Sequence, residues 1–294
     1  MQISFPREVR CNLAGYSWLA RTGAQLEPLR REEIRFCGRG LSWFDANLCG
    51  PFGAILTACK LRLNTVSLDE IPAPIIQAWG QNGFYRHFGG ADFVDHFDTT
   101  IGYRRFTLDE DKTFVRYLRG ELMEKELPTM SRSAKARFES NVQEVFTNAV
   151  HHSFSVHGVF SCGQHFPHKN RLDLTLTDLG VGFGFRVSEF LNAPISSLAA
   201  IEWALEQGHT TRVGNIAGGL GLKRLAQFLA QNEGHLQILS GDGFYQQHGG
   251  KISRQTLRHS FGGSVVNLSF NTLDATFYSE DDETSAGEEI AIFG

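Results

Sequence analysis

Apolar and polar positions along the chain follow two periods, and the switches between them predict its elements. Residues 34–37 read as a short strand, 48–63 as an apolar helix, 65–68 as a second strand and 74–88 as a second helix. A helix crossing between parallel strands needs this spacing, so residues 1–105 are expected to form a small α/β domain. Residues 112–126 predict a linking helix whose stripe is Phe114, Tyr117, Leu118 and Leu122, stopped by Leu127-Pro128, within a linker spanning 106–135.

The second half carries the stronger periodicity. Ser131 is suited to cap a long helix. On that helix Phe138, Val142, Val145, Phe146 and Ala149 share one stripe, and Glu144, Asn148 and His151 project about 140° away. Residues 172–177 alternate strictly between apolar and polar and predict a half-buried strand. Further on, residues 196–207 and a stretch from Gly218 to Asn232 predict helices, and 235–240 and 264–270 predict strands. A second domain over 136–275 follows from this, with an acidic, flexible tail over 276–294.

Composition narrows the class. With 294 residues, 41% hydrophobic and 20% charged, the chain has material for two cores. The net charge of −4 and the scattered basic residues argue against direct nucleic-acid binding. Five cysteines, odd in number, without Cys-x-x-Cys spacing or a leader pattern, predict a cytoplasmic location. No apolar run reaches the 18 or so residues that cross a bilayer, so no membrane attachment is expected.

Three stretches could carry chemistry. Glu144 and Asn148, a carboxylate and a carboxamide one turn apart, suit a metal-bound phosphate, or else form an ordinary solvated face. Asp178, followed by Gly180 and Gly182, is a strand-end acceptor for a base amino group, or the start of a tight turn. Gly218-Gly219-Leu220-Gly221-Leu222 offers backbone N–H groups at a helix start, a geometry for phosphate oxygens, or is a plain loop. Neither glycine motif has P-loop or dinucleotide-fold spacing. His165-x-x-His168 lacks a cysteine partner at zinc spacing and is expected in a polar loop after the long helix.

Taken in order, these motifs resemble the GHKL superfamily of ATP-binding domains over residues 136–272. Residues 144–152 are similar to its N box, 178–182 to its first glycine box, 218–222 to its second, and Gly262-Gly263-Ser264 to its closing strand. The resemblance implies an α/β two-layer sandwich with a mixed sheet that binds ATP and Mg²⁺. Asn148 would be the Mg²⁺ ligand, Asp178 the acceptor for the adenine amino group, and Gly180 and Gly182 the turn beneath the base. Gly219, Leu220 and Gly221 would flank the phosphates, Glu144 would be the general base, and Arg212 a phosphate contact from a lid over 183–217.

The chain departs from histidine kinases in carrying His151 and in lacking a His-Glu/Asp-x-x-x-Pro segment; its Asn-Ala-x-x-His pattern is closer to the anti-sigma-factor serine kinases. The first domain resembles the STAS domains of anti-anti-sigma factors, with Phe44-Asp45-Ala46-Asn47-Leu48 in place of the phosphorylatable turn. The expected function is an Mg·ATP-binding regulator whose nucleotide state gates a protein partner, with slow hydrolysis or Ser/Thr phosphorylation. The alternative is a non-hydrolysing binding module or scaffold, and analogy with the family adds a homodimer to the expected partners.

Overall fold

The computed structural model describes residues 1–206 and 220–278. Arg212 and Gly219, residues 207–217 of the expected lid and most of the expected tail lie outside the described residues. The N-terminal half holds a parallel sheet in the order β1 (Gln2–Ser4), β3 (Glu33–Cys37), β5 (Thr65–Asp69), and a small parallel pair, β2 (Glu8–Val9) with β4 (Trp43–Phe44). Two helices cover it: α1 (Leu13–Leu26), capped by the Asn12 side chain accepting from Gly15 N–H, and α2 (Cys49–Leu61). The expected second helix is in fact two, α3 (Ala73–Gln81) and α4 (Phe84–His87), because Gly83 takes φ +76° between them.

The second sheet runs β6 (Thr100–Phe106), β7 (Val159–Phe166), β8 (Arg171–Asp178), β10 (Lys251–Asn271), β9 (His235–His248), and every neighbouring pair is antiparallel. The mixed sheet implied by the resemblance is therefore corrected. β7 joins β8, and β9 joins β10, through hairpins, and a hairpin permits no other sense. β6 crosses the expected boundary at 105 to pair with β7. His165, expected in a loop, is buried in β7.

One face of this sheet packs on α6 (Arg132–His152), α9 (Gly221–Gln231) and the short α5 (Asp111–Tyr117) with its π-helical turn Leu118–Leu122. Ser131 caps α6 by accepting from Ala134 N–H, as its sequence suggests. Of the expected stripes, Phe138, Val142, Val145 and Phe146 from α6 and Phe114, Tyr117, Leu118 and Leu122 are interior, and Ala149 is half-buried against the same core. Phe114 stacks on Phe146 at 4.0 Å between centroids. α7 (Gly182–Leu191) and α8 (Ser197–Leu205) follow β8. Tyr278, in the expected flexible tail, is buried against Phe228 and bridges to Met130.

The opposite face is covered as well, by the N-terminal half. Phe160 and Cys162 of β7 and Val265 of β10 belong to the same core as Phe5, Trp18, Phe36, Phe52 and Trp79. Thus 172–177 is not half-buried: its polar side chains Asp173, Thr175 and Thr177 are 0–1% exposed beneath α2 and the 3₁₀ turn Ala46–Leu48. Asn47 in that turn donates to Cys11 Sγ, Thr175 Oγ1 and Asn267 Oδ1 at 2.8–3.0 Å. The segment compared with a STAS phosphorylation turn is thus an interior tie between the halves.

β9 has a further peculiarity. A straight strand of its 14 residues would span about 45 Å, yet its end rings, His235 and His248, stack at 3.7 Å and Gly249 N–H donates to Gly234 O. The strand doubles back at Gly241, which takes φ +56°. The expected strands 235–240 and 264–270 are present, joined by an inserted hairpin over 241–263.

Candidate functional site

β8 alternates its side chains, so Asp178 points to the same face as Leu172, Leu174 and Leu176, toward α6. Asp178 is 1% exposed, and both its oxygens are engaged. Gly180 N–H donates to Oδ1 at 2.8 Å, and the Ser264 hydroxyl, across the sheet in register with Asp178, donates to Oδ2. Burial raises the carboxyl to about 6, and the bonds from Ser264 and Gly180 oppose that shift.

The turn after Asp178 tolerates only glycine at several points. A Cβ on Gly180 would lie 1.9 Å from Ser153 O, which accepts from Val181 N–H at 2.7 Å. Gly182 takes φ +71°, and a Cβ there would meet Ser240 Oγ at 2.6 Å. That hydroxyl accepts from Phe183 N–H at 2.9 Å and donates to Gly263 O at 3.2 Å, fixing the start of α7. The turn is thereby pinned to the end of α6 on one side and to the closing strand on the other.

At the other end of the site Gly221 opens α9, and a Cβ on it would lie 2.8 Å from both Cβ and Oε2 of Glu144. The carboxylate of Glu144 therefore rests against the first turn of α9, where unpaired N–H groups favour negative charge. Leu220 precedes it as a half-buried residue, and its carbonyl accepts from Arg224 N–H at 2.8 Å. Asn148, half-buried, lies one turn further along α6. From Glu144 to Ser153, at 1.5 Å per residue, α6 covers about 13 Å. The order along it is α9 start, Asn148, Asp178 turn.

The structure thus brings together Glu144, Asn148, Asp178, Gly180, Gly182, Leu220 and Gly221 around one helix. His151, further along α6, is exposed. Ser153, Ser240 and Ser264 received no role from the sequence, although Ser264 follows the Gly262-Gly263 pair and Ser153 closes the long helix. Their parts depend on strand register and close packing, which no local pattern states. His165 is held well inside the fold, where burial lowers its pKa, with Glu126 at 3.7 Å. No protein-family model matches the chain, and none of the curated proteins matches it either.

Proposed function

We propose that the protein binds Mg·ATP along α6 and uses the nucleotide to regulate a protein partner. The observation that carries this reading is that the glycine turn of a buried carboxylate packs on Ser153 at the end of α6 and the amino end of α9 packs on Glu144, two positions about 13 Å apart along the helix axis. Such a span suits an extended nucleoside triphosphate, with the base at Asp178 and the phosphates at α9. Ionised Asp178 accepts from an exocyclic amino group, and its two existing bonds hold it in the acceptor orientation. Gly180 and Gly182 let the turn that carries Asp178 pack closely against Ser153 and Ser240. Gly221 and Leu220 present α9's first N–H groups to phosphate oxygens.

The residues present fit Mg²⁺ held mainly by phosphates and water. Asn148 would contribute one amide oxygen, a ligand of the hard type this ion prefers. Bound there, the ion would neutralise phosphate charge. Glu144 would orient and deprotonate a water or a substrate hydroxyl.

The contact of Glu144 with Gly221 also favours the non-hydrolysing alternative as the resting condition. A carboxylate on the α9 amino end competes with phosphate for the same N–H groups, so Glu144 must move aside before it can act as a base. Calorimetric titration with a non-hydrolysable ATP analogue and Mg²⁺ tests the reading. Binding is expected in the wild type and its loss in Asp178→Asn; unchanged affinity in that variant refutes the base site. Glu144→Gln, which removes the competing charge, is expected to bind the analogue at least as tightly as the wild type and to abolish phosphate release.

A further inference from the structure

From its tip onward, the returning strand of the inserted hairpin carries charge of one sign. Residues 249–263 include Lys251, Arg254, Arg258 and His259 and no Asp or Glu, in a chain of net charge −4. β10 pairs with β8 only from Ser264 onward. Its first residues, Lys251 to Thr256, pair with β9 on one side, and among the described residues their other edge has no backbone partner. All six are exposed.

We propose that this edge docks an extended acidic segment of a partner protein, which adds to the sheet as a further strand. The unpaired N–H and C=O groups recur at the spacing of a peptide strand. Lys251 and Arg258 are basic residues of the kind that keep exposed edges from pairing indiscriminately, and the same charges favour a strand rich in Asp and Glu. A second copy of this edge is disfavoured, because pairing would bring the same basic side chains together. Nucleic acid would meet the charges but leave the backbone groups unmatched.

The hairpin is also braced against the helices after the glycine turn. Arg254 pairs with Glu202 of α8, and Cβ atoms on Gly241 or Gly243 would strike Ser197 Oγ at 2.5 Å and Leu198 N at 2.8 Å. Strand addition would therefore bear on α8. Any link from there to nucleotide rests on the proposed ATP site, whereas the docking itself does not.

The test uses the full chain and a fluorescent peptide of alternating glutamate and valine, with its lysine–valine counterpart, a backbone N-methylated version and a single-stranded oligothymidylate. The acidic peptide is expected to bind and to slow amide exchange at 251–256, and the other probes to bind at least about tenfold more weakly. Lys251→Glu combined with Arg258→Glu, both on the surface, is expected to weaken the acidic peptide by about tenfold with an unchanged circular dichroism spectrum. Binding unaffected by the double substitution, no exchange protection, or preference for the oligothymidylate overturns the proposal. So does self-association through this edge. Retained binding in Asp178→Asn shows that docking stands apart from the nucleotide reading, and its loss there overturns that independence.

Discussion

The two faces of β8 carry one buried aspartate each, and the two are handled differently. Asp178 on the α6 face and Asp173 on the opposite face are both 1% exposed, and burial raises both to about 6. Asp178 has a hydrogen bond to each oxygen. Asp173 has a hydrogen bond to neither: Arg171 Nη2 comes within 3.0 Å as an ion pair off hydrogen-bond geometry, and Ser269 lies alongside. The difference teaches that burial alone does not mark a functional carboxylate. Asp178 is held in one orientation by its two donors, whereas Asp173 is closed under the N-terminal half, where its charge is a cost partly offset by Arg171.

The contrast can be broken most forcefully at the covered face. Phe52 is fully buried in the core that joins the halves. Phe52→Ala is expected to lower stability by about 3–5 kcal/mol in urea unfolding, with tryptophan fluorescence and far-UV circular dichroism still changing together. Two separated transitions would mean that the halves are independent and that the covered face is a loose contact.

A smaller effect belongs to the site face. Gly180→Ala drives a methyl into the Ser153 carbonyl and is expected to cost about 1–3 kcal/mol, together with a loss of ATP affinity. A thermal shift without change in affinity would separate the turn from the base site. Smallest is the pH response of Asp173. Its folded pKa lies above the ordinary value of 3.8, so its contribution to stability is fully present below that value and is lost as pH rises through about 6. Relative to wild type, Asp173→Asn should therefore gain stability between pH 4 and pH 7, by about 1–3 kcal/mol. A difference independent of pH would show that Arg171 fully compensates the buried charge.

Much of the fold was legible where a local signal coincides with its tertiary role. Ser131 caps α6, the Phe138 stripe is interior, and β3, α2 and β5 lie where the pattern predicts them. α1, β6, β7 and α7 escaped because their patterns are weak: β7 is buried on both faces and its His165, with His168 just beyond it, suggests a loop, and Gly182 and Gly184 mask a helix. Within the candidate site, the glycines were legible as glycines. The serine bonds were not, because Ser264 reaches Asp178 only through a strand register 86 residues away.

By itself the sequence determined which residues share a face, because the periods of helix and strand follow from backbone geometry alone. It therefore placed Glu144 and Asn148 together on α6, and Asp178 at the end of an alternating strand. Only the tertiary structure decided what each face meets. The polar side of β8 reads as a solvent face, yet it is interior, because α2 and the Asn47 turn cover it and supply hydrogen bonds to Thr175 and Asn267. Alternation tells that two faces differ in polarity; whether water or protein satisfies the polar one depends on elements more than a hundred residues away.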